Sequence, residues 1–378
     1  SLPAQDRLLV NGKVFTANPQ QPYAEAVALR GDTIVAVGSR REAAAAVAAS
    51  AEIIDLQGNT LLPGLIDSHV HPIEGGRMLR AANARGEISS VDALVTFAAE
   101  ALKSVRGLRG DVLEIVGVPL ATWSLVDELN RRFNEGEFAS RAVFLFGLDG
   151  HTGWANRTMR SKANVNKAYL AQLSEAERKN FGTGPNGDPN GFVMEGAVGV
   201  VRRAMPRPSE RDVIENGRAG IEYLHSLGIT SWVDAGARRA TLAIYRALAA
   251  RGYLTGRVAA FVPLNPDSAK LDPQQLEQAF TLRKEFSGVP GLTVSGVKVF
   301  ADGVAEHPAQ TAALSRPYAG TNGKRGESLF NPRTFAEVCT RADGEKLIVH
   351  VHAIGDRAVT ETLNGIEAAR KANGKSGL

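Results

Sequence analysis

Short apolar runs broken by turns fill the first 62 residues of the chain. Residues 8–10 and 14–16 flank an Asn-Gly pair at 11–12, which favours a tight β-hairpin. Residues 26–29 and 33–37 flank a second turn in the same way. We therefore expect a small β module here, and its sequence offers little chemistry.

Beyond residue 213 the pattern becomes regular, with amphipathic segments of helix length between apolar runs of strand length. It predicts strands at 229–233, 258–263, 294–300 and 347–351. Near-continuous apolar strands that alternate with helices are typical of a parallel sheet covered by helices, so we expect an α/β fold.

Between about 75 and 220 the order of the elements is irregular. Two apolar runs, 112–118 and 142–148, suit buried strands. The polar stretch 181–191 is rich in Gly, Pro and Asn, and we expect it to be a surface loop.

The composition narrows the classes of function. Lys and Arg number 44 against 40 Asp and Glu, so the net charge is +4, and a nucleic-acid partner is not expected. No apolar run approaches the ~18 residues of a membrane span. The one cysteine, Cys339, excludes an intrachain disulfide and a cysteine-cluster metal site. We expect a small-molecule substrate and leave a homo-oligomer open. A cytoplasmic location is favoured, with a removed leader as the alternative because the chain begins at Ser1 rather than Met.

Histidines occur where apolar strands end. His69 and His71 lie two residues apart, so both imidazoles point to one face of a strand and can reach one metal ion. His350 and His352 repeat this arrangement at the end of another apolar run. For either pair taken alone, histidines of the core or of the surface are the simpler interpretation.

A lysine lies inside a third apolar strand. Lys298 shares a face with Asp302, and a buried lysine is costly unless it is paired or modified. Taken alone, a salt-bridged lysine or one that reaches solvent is the simpler interpretation. Because three strand ends together present histidines and a lysine, a metal centre accounts best for the set.

Six short motifs occur in an order that resembles the amidohydrolase superfamily. Within it they are most similar to the YtcJ-like branch, amidohydrolase family 3, which includes N-substituted formamide deformylase. The similarity extends over nearly the whole chain. The matching stretches are 62–71, 148–156, 191–195, 227–236, 297–303 and 351–358.

The resemblance implies a metal-dependent (β/α)8 TIM barrel beside a small composite β-sandwich. Residues 1–62 would form the N-terminal part of the sandwich. Residues 63–378 would form strands one to five of the barrel, with an insertion at about 75–220.

The resemblance also implies a divalent metal, with zinc expected, as one or two ions. His69 and His71 would bind the first ion, Lys298 would bridge two ions as a carbamate, and His352 would bind the second. Asp67, Asp302 and His350 would support these ligands from behind. The substrate pocket would include His151, Asn156, Glu195 and Trp154.

The implied reaction is hydrolysis of a non-peptide C–N bond, in an amide or an N-substituted formamide, by metal-activated water. A deaminase or an ester or lactone hydrolase would use the same centre, and a non-catalytic metal-binding relative is a further alternative. The resemblance also requires a histidine on a sixth strand and a general-base aspartate on an eighth. We expect both to lie beyond Leu378.

Overall fold

The computed structural model describes residues 5–88, 90–104, 106–265 and 271–374. The chain forms two compact units, residues 1–66 and 67–378. No helix in the described ranges has both the length and the apolar character that crossing a lipid bilayer demands.

The first unit is built from short strands and one short helix. Its elements are β1 (Asp6–Val10), β2 (Lys13–Phe15), β3 (Tyr23–Ala24), β4 (Ala26–Arg30), β5 (Thr33–Gly38), α1 (Arg40–Ala45), β6 (Glu52–Asp55) and β7 (Thr60–Leu61). One sheet has the order β5-β4-β1-β6 and another the order β3-β2-β7. Leu8 and Val10 of β1 pack against Ala26 and Ala28 of β4 and Ala43 of α1, which form a small core.

Of the two hairpins predicted in this unit, one forms. β4 and β5 pair in antiparallel register around the turn at 31–32. The hairpin predicted at residues 11–12 is wrong, because β1 and β2 belong to different sheets. Asn11 has a positive φ of 58°, and this turn carries the chain from one sheet to the other.

The second unit contains two further sheets and most of the helices. Its strands are β8 (Leu65–Val70), β9 (Ala82–Asn83), β10 (Leu108–Arg109), β11 (Val112–Val118), β12 (Ala142–Gly147), β13 (Thr152–Ala155), β14 (Phe181–Thr183), β15 (Pro189–Met194), β16 (Ile229–Asp234), β17 (Arg257–Pro263), β18 (Leu292–Phe300) and β19 (Ile348–His352). Its helices are α2 (Pro72–Arg80), α3 (Val91–Lys103), α4 (Val126–Phe133), α5 (Arg157–Lys162), α6 (Lys167–Gln172), α7 (Glu175–Arg178), α8 (Gly196–Arg203), α9 (Glu210–Ser226), α10 (Arg239–Ala250), α11 (Leu276–Glu285), α12 (Pro332–Gly344) and α13 (Asp356–Asn373). The four strands predicted beyond residue 213 are confirmed to within two residues at each end.

Five strands form a sheet whose spatial order, β8-β16-β17-β18-β19, is also their order along the chain. β16 to β19 pair in parallel, with helices between consecutive strands. The sheet curls strongly, since a ring nitrogen of His69 at the end of β8 lies 3.0 Å from one of His350 on β19, at the opposite edge. Flat strands spaced by about 4.8 Å would separate these edges by about 19 Å. The sheet is therefore a parallel half-barrel.

Helices cover the outer face of this half-barrel. Val297 and Val299 of β18 point into an apolar cluster that also contains Tyr245 of α10 and Phe335 of α12. Lys298 alternates with them and therefore lies on the other, concave face, where it is the register partner of His350. Strand alternation thus sends apolar side chains outward to the helices and polar ones inward.

Residues 82–194 form a separate sheet inserted between β8 and β16. Its strand order is β10-β11-β12-β13-β15-β14, with β9 paired to β11. Alternate residues of β12 enter two different apolar clusters, Val143 in one and Phe144 in the other, so both faces of the sheet are buried. The surface loop expected at 181–191 is wrong at both ends, because β14 and β15 pair there as an antiparallel hairpin.

Close packing fixes the helix that follows His71. α2 lies so tightly against α9 that a Cβ on Gly76 would come 1.8 Å from the carbonyl oxygen of Asn216. Arg77 of α2 also donates to the buried carboxylate of Glu114 at 2.7 Å. Because α2 is held on both sides, the position of its N-terminal end at His71 is well defined.

Candidate metal centre

The first histidine pair lies where β8 ends and α2 begins. The backbone N–H of His69 donates to Asp67 Oδ1 at 2.9 Å. His71 is the N-terminal cap residue of α2, and Pro72 occupies the first helical position. The two rings lie 5.5 Å apart between centroids, at right angles.

The second pair lies on β19, at the opposite edge of the half-barrel. His350 Nε2 lies 3.0 Å from His69 Nδ1, so one of these nitrogens donates a hydrogen bond to the other. His352 Nε2 donates to the carbonyl oxygen of Gly303 at 2.7 Å and lies 4.0 Å from Asp302 Oδ1. Curling of the sheet thus joins two histidine pairs that are separated by some 280 residues of sequence.

Lys298 is the most deeply buried group of this cluster. Its side chain is 1% exposed, and its Nζ lies 5.1 Å from the centroid of the Phe300 ring. Among the residues that the structure describes, no hydrogen bond or ion pair holds this ammonium group. Burial lowers the pKa of Lys298 from 10.5 to about 8. A fraction of the amine is therefore unprotonated and nucleophilic near neutral pH.

Partial desolvation and mutual repulsion favour the neutral form of three imidazoles, those of His69, His350 and His352. The pKa of His69 falls to about 4, first because of desolvation and then because of the Lys298 ammonium and the other histidines. Desolvation also lowers the pKa of His350 and that of His352. Neutral imidazole is the form that binds a divalent metal, so no proton has to be displaced from these rings at neutral pH.

The rings nevertheless bond to protein partners. In the described ranges, no three His, Cys, Asp or Glu side chains stand ready to hold an ion together. His69 and His350 bond to each other, His352 bonds to Gly303, and His71 faces a carboxylate. The donor chemistry at the ends of β8 and β19 fits a divalent cation, because neutral imidazoles lie near a buried amine that makes no hydrogen bond or ion pair within the described ranges. Metal ligation by His69, His71, Lys298 and His352 stays a prediction.

Asp302 joins the ends of β18 and β19. Its carboxylate accepts the backbone N–H groups of Ala313 at 2.8 Å, Ile354 at 3.0 Å and Gly355 at 2.8 Å. These bonds fix the turn after His352, and they place the carboxylate beside that ring. Asp67 acts in the same local way at the end of β8, through its bond to the His69 N–H.

A second group of polar side chains comes from the insertion. His151 Nδ1 lies 3.1 Å from Glu195 Oε2, and Thr311 Oγ1 donates to Glu195 Oε1 at 3.0 Å. Thr311 precedes α12, and its carbonyl accepts the N–H of Gly303, the residue to which His352 bonds. A short chain of contacts therefore links this group to the histidines of β19.

The His151–Glu195 pair is electrostatically coupled and is held in a strained backbone. The hydrogen bond that His151 donates to Glu195 raises the pKa of His151. Burial acts to raise the pKa of Glu195, but the same bond and the charge of His151 outweigh it and hold that pKa below its usual value. Glu195 has a φ of 48°, an uncommon conformation for a residue with a side chain. Both side chains remain partly exposed.

Two residues assigned to the substrate pocket lie in the core instead. Trp154 is fully buried, and its Nε1 donates to the carbonyl oxygen of Asn190. Asn156 is also fully buried and caps α5, accepting the N–H of Met159. Neither has surface to offer a ligand, because both lie between the inserted sheet and its helices.

Sequence reasoning missed one buried acid. Asp234, the last residue of β16, is 2% exposed, and its Oδ1 lies 3.6 Å from His71 Nδ1. Asp234 could have been found by the pattern that identified His352, which is a polar residue at the end of an apolar strand. However, a single aspartate before Ala-Gly is also typical of a turn.

The chain is similar to known proteins over most of its length. The amidohydrolase family model matches residues 52–378. Protein LONG AFTER FAR-RED 3 of Arabidopsis thaliana is 27% identical and covers 98% of the chain, and N-substituted formamide deformylase of Arthrobacter pascens is 23% identical and covers 97%. The structure is similar to that of an uncharacterized metal-dependent hydrolase from Pyrococcus furiosus, with a TM-score of 0.69 and 26% identity over 97% of the chain.

The chain is shorter than these proteins. It spans 62% of the Arabidopsis protein and 66% of the deformylase. It spans 70% of the Pyrococcus hydrolase.

Proposed function

Since this chain belongs to the amidohydrolase family, we propose that it is a metal-dependent hydrolase of a non-peptide C–N bond, in an amide or an N-substituted formamide. The observation that carries the proposal is the meeting of two histidine pairs, at the ends of β8 and β19, beside a buried lysine of β18 that makes no hydrogen bond or ion pair with the described residues. The similarity to N-substituted formamide deformylase supports the choice of bond.

The fold proposed for the active protein is a (β/α)8 barrel, of which the half-barrel supplies strands one to five. Consecutive strands that are also spatial neighbours support this choice, as does the curl that brings β8 to β19. Residues 1–62 would belong to a small β-sandwich and residues 63–378 to the barrel, with the inserted sheet within about 75–220.

The residues that would hold the metal are His69, His71, Lys298 and His352, with zinc as the expected ion and one or two ions bound. A metal ion held there would lower the pKa of a bound water toward ~7 and polarise the substrate carbonyl. His69 and His352 are neutral near pH 7, so each has a lone pair to offer.

Lys298 would serve as a carbamate. Its unprotonated amine attacks carbon dioxide, a new N–C bond forms, and one proton leaves to solvent. The positive charge is thereby replaced by a carboxylate that can bind cations, which removes the cost of burying an ammonium group that forms no ion pair with the described residues. The lowered pKa of about 8 makes the reactive amine available.

His151 and Glu195 would contact the substrate from the side of the insertion. Glu195 binds Nδ1 of His151 and so orients the ring, which leaves Nε2 for a hydrogen bond to the substrate. Thr311 holds the other carboxylate oxygen of Glu195 and keeps the pair beside β19.

The test uses protein expressed from its whole gene, with the metal removed by a chelator and then restored as zinc. The proposal predicts that hydrolysis of N-substituted formamides or simple amides is lost on chelation, returns with zinc, and stays absent in His69→Asn. A panel with aminopurines, esters and lactones assigns the bond type. Amide hydrolysis at an unchanged rate after chelation would contradict the proposal.

A further inference from the structure

The side chain of Asp234 is a buried carboxylate beside a proposed metal ligand. It lies at the end of β16, next to β8 in the half-barrel, and is 2% exposed, whereas the facing His71 ring is about half exposed. The distance of 3.6 Å from Oδ1 to His71 Nδ1 is slightly longer than a hydrogen bond and within the range of an ion pair. A buried carboxylate is expensive unless donors surround it.

Two donors hold this carboxylate. Tyr245 of α10 donates its hydroxyl hydrogen to Oδ2 at 2.8 Å, and the Gly236 N–H donates to Oδ1 at 3.2 Å. Trp232 Nε1 in turn donates to the Tyr245 hydroxyl oxygen at 3.3 Å, and both aromatic side chains are almost fully buried. Because these donors lie in the core, the carboxylate has little freedom to turn away.

The backbone after Asp234 also limits the His71 ring. A Cβ on Gly236 would lie 3.2 Å from His71 Cε1 and 3.3 Å from Nδ1, so the chain passes close to the same edge of the imidazole. The ring is therefore bounded on its Nδ1 side by a glycine and a carboxylate. Its Nε2 is the nitrogen left for another partner.

We infer that Asp234 is a positioning residue for His71: it accepts the Nδ1–H of the imidazole, selects the tautomer with a free Nε2, and so directs His71 to bind metal through Nε2. Tyr245 and Trp232 hold the carboxylate in place for this task. A carboxylate on the far nitrogen makes an imidazole a stronger and better oriented ligand. The inference rests on the proposed function, because it takes His71 to be a metal ligand.

The principal experiment measures zinc affinity by chelator competition in wild type, Asp234→Asn and Asp111→Asn. Asparagine keeps the shape of the side chain but turns one acceptor into an amide that faces a donor. We expect Asp234→Asn to bind zinc about 10- to 100-fold more weakly. Asp111→Asn makes the same substitution at a carboxylate that pairs with Lys162 on the insertion, and we expect its affinity to stay within about twofold of wild type.

A second variant keeps the test decisive if Asp234→Asn does not fold. Tyr245→Phe removes one donor and leaves the charge, and we expect zinc binding about three- to tenfold weaker in a folded protein. Nitrogen NMR of the His71 ring gives an independent readout, with the proton on Nδ1 and the metal on Nε2 in zinc-loaded wild type.

The outcomes separate the two proposals. Tight zinc binding by wild type together with unchanged affinity in folded Asp234→Asn and Tyr245→Phe overturns the inference alone, and so does a His71 ring that binds zinc through Nδ1. A wild-type protein that binds no zinc overturns the proposed function, and the inference with it.

Discussion

Asn156 in the inserted sheet and Lys298 in the half-barrel are both buried, yet their polar atoms differ in the hydrogen bonds that they form. The Asn156 amide donates to the carbonyl oxygen of Arg141, and its Oδ1 accepts the N–H groups of Val143 and Met159. The Lys298 ammonium has no hydrogen bond or ion pair within the described ranges. A buried polar group with all its bonds made stabilises the fold, whereas one left with unused bonding capacity costs stability and is a candidate for function.

The largest expected effect comes from Lys298→Met, which replaces the amine with an apolar side chain of similar length. If Lys298 serves function, zinc-dependent hydrolysis falls at least about 100-fold, while the free energy of unfolding stays level or rises by about 1 kcal/mol because a buried charge is removed. Activity assays measure the rate of hydrolysis, and urea unfolding measures the free energy of unfolding.

The matched control is Lys162→Met, which removes a lysine paired with Asp111 on the surface of the insertion. The rate of hydrolysis should not change appreciably, and the free energy of unfolding should change by less than about 0.5 kcal/mol. Marked destabilisation in Lys298→Met would show that the amine supports the fold, and the contrast with Asn156 would be lost.

Asn156→Ala tests the other side of the comparison. Its loss leaves several buried backbone groups without partners, so the free energy of unfolding should fall by about 3 kcal/mol. Urea unfolding measures this, with Asn186→Ala in the exposed turn at 184–188 as the control. Zinc affinity of the folded protein should not change. A loss of zinc affinity without loss of stability would contradict this and would indicate that Asn156 contributes to the metal site.

The metal-free half-barrel should lose stability in mild acid. The pKa of His69 is about 4 in the folded protein, below the usual 6.5, so the unfolded chain binds its proton at a higher pH. The free energy of unfolding therefore decreases as pH falls from about 6.5 toward 4. Since the ring is partly exposed, solvent screening limits this to about 1 kcal/mol. Urea unfolding at several pH values should show a shallower slope in His69→Gln, and equal slopes would contradict the neutral imidazole cluster.

The smallest effect concerns the partly exposed His151–Glu195 pair of the insertion. Glu195→Gln removes the carboxylate that favours protonated His151, so the pKa of His151 should fall toward its ordinary value. NMR titration of the ring measures it, and Glu177→Gln at the exposed start of α7 is the control. An unchanged His151 pKa in Glu195→Gln would mean that the two side chains do not interact in solution.

Much of the half-barrel could be predicted from the sequence, because each strand is specified by the apolar pattern of its own residues. The strands from 229 onward follow from apolar runs, and a period of two places His350 with His352 on one face. The meeting of His69 with His350 is not local, since it depends on how far the sheet curls. Asp234 was missed because its proximity to His71, which follows the neighbouring strand β8, depends on the tertiary structure.

The insertion was harder to predict for the same reason. The apolar runs that predicted β11 and β12 are local, but the parallel pairing of β11 with β9 and with β12 is not, so no single stretch shows the sheet. Asn156 and Trp154 lie in the motif that also contains His151. Only the structure shows that Asn156 and Trp154 are buried whereas His151 is partly exposed. The carbonyl oxygens that bind the Asn156 amide belong to residues 15–23 positions away.

The proposed function requires one metal centre where β8 and β19 meet, and anomalous diffraction at the zinc edge from zinc-soaked crystals tests for it most directly. The predicted result is a zinc peak bounded by His69, His71, Lys298 and His352. Well-ordered crystals with zinc bound elsewhere, and none between β8 and β19, would contradict it.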